Sequence, residues 1–203
     1  MLPSKEVAEA ELSLGGKMNP GPWVEHSINT GLAARNIAEK IPDMDAEKAY
    51  ILGILHDIGR RVGIVTIPEH IIAGYEYSLE KGWDEVAKIS MTHSFPLKGK
   101  EINDEAEGHE RVIKDYLLAC TYDDYDRLII LCDSLAIAQG FCLLEKRFVD
   151  VARRYGVWVD SVERWNATFE IKKYFETRMK CSIYDVLPGV KETSFIDIPA
   201  FRP

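Results

Sequence analysis

Four histidines and two aspartates in this 203-residue chain stand where polar side chains are costly to place. His56 and Asp57 follow directly on Ala49-Tyr-Ile-Leu-Gly-Ile-Leu, an uncharged run that reads as a helix apolar on every side, and therefore central and buried. His26 falls on a stripe with Thr30, Ala33, Ile37 and Ile41, the spacing of one helix face. His70 shares a face with Gly74 and Tyr77, and His93 lines up with Val86, Ile89 and Ser90. Asp133 is the only charge between Leu128 and Ala138. Taken singly, an inward histidine is a hydrogen-bonded core residue and an inward aspartate caps a neighbour or pairs with a base. Six together would each need separate compensation. One metal cluster compensates all of them, and imidazole nitrogen with carboxylate oxygen suits Zn, Fe, Mn, Co or Ni, whereas Mg favours more oxygen ligands.

The elements that must carry these residues read as helices throughout. Ser4 caps an amphipathic stretch over 4–14 that Gly15-Gly16 should end, and Asn19-Pro-Gly-Pro22 turns into a second helix. Pro42-Asp43 stops that one, Asp45 caps the central helix, and Gly59 fits the residue just past its end. After the apolar connector 62–66, Thr66 and Glu69 have the spacing of a capping box, opening a helix that stops at Gly82. The next begins near Asp84 and ends at Phe95-Pro96. The stretch 97–108 has no apolar period and reads as a mobile surface loop, a candidate lid. Further helices are expected over 109–119, 124–138, 145–155 and 160–180, followed after Pro188-Gly189 by an extended arm. The pattern is all-α, about eight to ten helices in a single domain.

A composition of 46% hydrophobic and 29% charged residues is that of a soluble globular protein. A net charge of -8 argues against general attraction to nucleic acid or to an anionic membrane. No stretch reaches the roughly 18 apolar residues of a membrane span, and Met-Leu-Pro-Ser-Lys-Glu is no signal peptide, so a cytoplasmic location is expected. Cys120, Cys132, Cys142 and Cys181 form no CxxC pair and are expected to be reduced packing residues. His109, in Glu-Gly-His-Glu, reads as a surface residue. Tyr75, Tyr77, Trp158 and Trp165 read as core.

The order His26-Ser27, then His56-Asp57-Ile58-Gly59-Arg60, then Asp133 in an apolar helix resembles the HD-domain superfamily of metal-dependent phosphohydrolases. The resemblance covers about residues 22–155 of a single HD-like domain, with C-terminal helices and the arm over 156–203. His70 followed by Gly74, and Thr92-His93-Ser94, resemble the two additional histidines of the binuclear branch. Its relatives include cyclic-di-nucleotide phosphodiesterases with a Gly-Tyr-Pro signature. That signature is absent here, and Ser94 stands where many binuclear members carry another histidine.

The resemblance implies that His26, His56, Asp57 and Asp133 hold a first divalent ion, and that Asp57 bridges to a second held by His70 and His93. It implies attack by metal-bound hydroxide on a phosphoester or phosphoanhydride, with a nucleotide or other small phosphorylated metabolite as substrate. Charge developing on the phosphate calls for cations. Arg60, next to the metal motif, is the leading candidate, with Arg61, Lys98 and Lys100 behind it. Other readings stay open: a mononuclear nucleotidase using His26, His56, Asp57 and Asp133 alone, a catalytically silent regulatory module, or a di-iron oxygenase. The C-terminal arm could reach a second copy, which keeps a homodimer open.

Overall fold

The central helix explains the architecture around it. In a computed structural model, which describes residues 1–63 and 66–196, every residue from Ala49 to Leu55 of α3 (Ala46–Leu55) is buried, as an uncharged sequence requires. Asp45 caps it, accepting from the Glu47 and Lys48 amides at 2.9 and 3.0 Å. Ahead of it come α1 (Lys5–Met18) and α2 (Trp23–Ala38). After it come a 3-10 turn (Ile58–Val62), α4 (Ile67–Glu80), α5 (Asp84–Thr92), α6 (Gly108–Ala119) and α7 (Asp124–Leu135). A two-stranded antiparallel ladder, β1 (Ala136–Ile137) with β2 (Gly140–Phe141), leads to α8 (Leu144–Tyr155) and α9 (Ser161–Met179). A second 3-10 turn (Ile183–Val186) and α10 (Val190–Ser194) follow. The fold is all-α, and among the described residues no helix is long and apolar enough to cross a membrane.

Glycines set how closely the backbones approach. A Cβ on Gly53 would come 2.5 Å from Gly31 Cα, so α2 and α3 touch there without side chains between them. That contact brings the start of α2 beside the end of α3. The main apolar core runs through α1, α2, α3 and α7, and a smaller one joins Ile71, Ile72, Met91, Phe95, Ile113 and Leu117 of α4 to α6.

Several boundaries differ from the sequence pattern. Helix α1 continues through Gly15-Gly16 to Met18, because these glycines serve packing: added Cβ atoms would lie 3.1 Å from the Trp23 ring and 2.9 Å from Val24. Gly59 does not close α3 in a left-handed conformation. It lies inside the first 3-10 turn, where a Cβ would overlap the His70 carbonyl oxygen and come 2.5 Å from Gly74 N, so its bareness seats α4. Helix α7 stops at Leu135 rather than Ala138, and the chain reverses at Gly140 (φ 137°).

The 97–107 stretch, expected as a mobile loop, makes several hydrogen bonds to its surroundings. Lys114 donates to Ile102 O at 2.7 Å and Asp104 at 2.5 Å, Leu97 N donates to Glu101, and Tyr122 holds Phe95 O at 3.0 Å. The expected arm folds back as α10, whose Thr193 hydroxyl donates to Phe141 O, and the rest of that arm, residues 197–203, lies outside the described residues. So do residues 64 and 65 of the apolar connector. Trp158 is 43% exposed instead of buried, Tyr75, Tyr77 and Trp165 are half-buried, and His109 is exposed. All four cysteines are free thiols, Cys132 and Cys142 buried.

Candidate metal centre

Six side chains from five helices converge on one point. His26 comes from the first turn of α2, His56 and Asp57 from the end of α3, His70 from the first turn of α4, His93 from the end of α5 and Asp133 from the last turns of α7. The ring of His56 lies 5.3 Å from that of His26 and 5.1 Å from that of His93, which is 5.8 Å from His70. Ligand atoms of His26, His56 and Asp133 all lie within 4.8 Å of one another, and so do those of Asp57, His70 and His93. The two triads adjoin, since His56 Nε2 is 3.9 Å from both Asp57 Oδ2 and Asp133 Oδ1. Asp57 faces both ways, its Oδ1 standing 3.1 Å from His70 Nε2 and 3.6 Å from His93 Nε2.

The backbone fixes every imidazole the same way. His26 Nδ1 meets Ala136 O at 3.2 Å, His56 Nδ1 meets Gly53 O at 2.7 Å, His70 Nδ1 meets Thr66 O at 3.3 Å, and His93 Nδ1 meets Ile89 O and Ser90 O at 3.1 and 3.0 Å. A carbonyl only accepts, so each Nδ1 carries a hydrogen and each Nε2 is the ring atom turned inward. The early end of α7 has a purpose in this light. It frees Ala136 O for His26, and Ile137 O for Asn29, which donates at 2.8 Å.

Three of the inward atoms, His56 Nε2, Asp57 Oδ1 and His70 Nε2, are buried with no hydrogen-bond partner. Leaving such atoms unpaired costs on the order of 1–3 kcal/mol each, and a cation ligated by them removes the cost. Protonation states suit that role. Burial disfavours the imidazolium of His56, and lowers the His93 pKa to about 4. Burial alone would raise both carboxylates, but Arg60, His56 and His70 hold Asp57 well below the usual range, and His26, His56 and Arg147 do the same for Asp133. Neutral imidazole beside ionised carboxylate is the set that ligates a divalent metal. The residues present fit such an ion.

Of the expected cations, the structure brings one to the cluster. Arg60 Nε donates to Asp57 Oδ2 at 2.5 Å, with a third of the side chain still exposed. Arg61 is engaged elsewhere: it is buried, pairs with Glu11 at 3.2 Å, and lies 4.0 Å over the Tyr77 ring. Successive residues of a 3-10 turn point about 120° apart, which sends these two arginines to different neighbours. Lys98 is half-buried and Lys100 exposed on the 97–107 loop, and among the described residues neither pairs with Asp57 or Asp133. A cation that sequence reasoning missed is Arg147 of α8, whose Nη2 stands 3.9 Å from Asp133 Oδ1. Its only sequence signal is a shared face with Asp150 and Arg154, which becomes meaningful once the β1–β2 reversal is known.

No curated protein and no solved structure matches the chain. A family model described as the HD domain matches residues 23–138, from the first residue of α2 to just past β1, a span of more than half the chain that holds all six converging side chains. The chain belongs to the HD domain family, within the superfamily of metal-dependent phosphohydrolases.

Proposed function

We propose that this chain is a phosphohydrolase that binds two divalent cations and cleaves a phosphoester or phosphoanhydride of a nucleotide or other small phosphorylated metabolite. The observation that supports it is the pair of adjoining triads, with three of their buried ligand atoms left without a hydrogen-bond partner. His26, His56 and Asp133 would hold one ion and Asp57, His70 and His93 the other, with Asp57 offering an oxygen to each side. Ions held so close supply a water of lowered pKa and a clamp on the phosphoryl oxygens.

The chain's own groups do the rest. The backbone carbonyls hold each ring at Nδ1, so Nε2 is the atom each imidazole offers to a cation. Arg60 is anchored through Nε on Asp57, and its Nη groups make no hydrogen bond among the described residues, which leaves them to meet a phosphate oxygen. A net charge of -8 favours a small substrate over a long polyanion, because attraction must come from the site itself.

Metal content by plasma mass spectrometry tests the reading, run on the wild type, His70→Ala and Asp57→Ala beside a panel of phosphorylated nucleotides and metabolites. About two ions per chain, falling toward one in His70→Ala and toward none in Asp57→Ala, with hydrolysis of at least one compound, is the expected result. One ion that His70→Ala leaves in place would point to a mononuclear site. No uptake of Mn, Fe, Zn or Ni would overturn the proposal.

A further inference from the structure

Arg147 is a largely buried guanidinium that stands near two carboxylates and, among the described residues, makes no side-chain hydrogen bond. The β1–β2 reversal returns the chain so that α8 lies beside α7, and Arg147, Asp150 and Arg154 share one face of α8 by their i, i+3, i+7 spacing. The Arg147 side chain is 19% exposed. Its Nη2 is 3.9 Å from Asp133 Oδ1 and its Nη1 is 3.8 Å from Asp150 Oδ2, both too long for hydrogen bonds. Among the described residues it donates to nothing, although a guanidinium offers five N–H groups. A clamp that fixed α8 to α7 would close to about 2.7–2.9 Å.

Arg154 accounts for the looseness. It takes Asp150 Oδ2 at 2.9 Å, so the carboxylate that could have gripped Arg147 is already engaged. Asp133 Oδ1 in turn lies 2.9 Å from His26 Nε2, nearer than it lies to Arg147. Once Asp133 ligates a cation, its charge is shared with that ion, and Arg147 keeps its full charge and free donors at the edge of the cluster. The group that answers this is an anionic oxygen, and a phosphate offers two at the spacing of the guanidinium fork.

Arg60 occupies the corresponding place at the other triad, on Asp57. The cluster therefore has a guanidinium on each side, Arg60 at Asp57 and Arg147 near Asp133. We infer that Arg147 forms a second anion subsite, on the Asp133 side, and that the substrate is a phosphoanhydride whose two adjacent phosphates engage the two arginines. This rests on the phosphohydrolase reading and narrows it.

The test is titration calorimetry of the metal-loaded protein with methylphosphonate and with methylenediphosphonate, on wild type, Arg147→Ala and Arg147→Lys. Metal content and melting temperature are measured on the same samples. The wild type should bind the diphosphonate at least tenfold more tightly than the monophosphonate. Arg147→Ala should lose that margin while monophosphonate binding, metal content and melting stay within twofold or a few degrees, and Arg147→Lys should keep part of it. An unchanged margin in Arg147→Ala, or an equal loss for both ligands, overturns the subsite. A melt or metal content that collapses in Arg147→Ala and is restored by Arg147→Lys, with no selective effect on the diphosphonate, assigns Arg147 to structure and also overturns it. If the selective loss appears but no phosphorylated compound is hydrolysed, the subsite stands and the hydrolase reading is what fails.

Discussion

The two triads differ in how they meet solvent. Asp57, His70 and His93 are all buried, whereas His26 and Asp133 are half-buried around the sealed His56. The sealed triad keeps its donors unpaired: His70 Nε2 and Asp57 Oδ1 are 3.1 Å apart and form no hydrogen bond. In the open triad, His26 and Asp133 are already in contact at 2.9 Å. A cation would therefore relieve more at the sealed side and sit further from water there, and the open side is the more accessible of the two. Arg147 stands on that open side.

The largest effect tests the residue common to both sides. Asp57→Ala removes the one carboxylate that faces both triads, and should release both ions and lower turnover about 10³-fold, the loss of roughly 4 kcal/mol of charge stabilisation. Metal analysis and single-turnover rates read the two consequences together. Loss of the His70-side ion alone would show that Asp57 is not shared.

Metal removal comes next, and it should be stepwise. A chelator should take one ion quickly, from the open triad, and the second slowly, from the sealed one. Each ion present at about a hundred times its dissociation constant stabilises by about 2.7 kcal/mol, so removal of both should lower the melting temperature by about 10–20 °C, given about 2–4 °C per kcal/mol at this chain length. His26→Ala should abolish the fast phase and spare the slow one. Two ions lost at equal rates would remove the distinction between the sides.

Much of this was readable from residue types. The uncharged run Ala49–Leu55 announces the axis, Asp45 and the Thr66/Glu69 pair announce two helix starts, and each of the six ligand candidates lies on an apolar face. What stayed hidden depends on what arrives from far along the chain. Gly15-Gly16 looks like a stop until Trp23 and Val24 are known to pack on it. The end of α7 is masked because a buried strand and a buried helix are both apolar, so Ala136–Ala138 continue the pattern of either. Nothing in the expected helix over 145–155 singles out Arg147, since only the reversal at Gly140 brings it to Asp133.

Gly59 couples that hidden packing to the sealed side. A methyl group there meets the His70 carbonyl and Gly74 N, both backbone atoms of α4, which cannot rotate away. Gly59→Ala should therefore cost about 1–3 kcal/mol of overpacking and displace His70 from Asp57. The expected outcome is a chain that keeps the ion of the open triad and loses the other, seen as one ion per chain with a lowered melting temperature. Retention of both ions would mean that α4 can shift without carrying His70 off the site.

The smallest effect separates two neighbouring arginines. Arg60 meets the sealed triad through Asp57, whereas Arg61 joins Glu11 of α1 to Tyr77 of α4, with Tyr77 also donating to Glu11 at 2.5 Å. Arg61→Met keeps the apolar stem and removes the charged donors, so it should cost about 2 kcal/mol of stability and leave turnover within twofold. Arg60→Met should do the reverse, lowering kcat/KM with little change in melting temperature, because its partner Asp57 would be taken up by the cations. Paired denaturation and kinetic measurements on the two variants check this. If Arg61→Met slowed turnover as much as Arg60→Met, the α1–α4 network would be part of what holds the sealed triad in place, and the line between scaffold and site would have to be drawn further out.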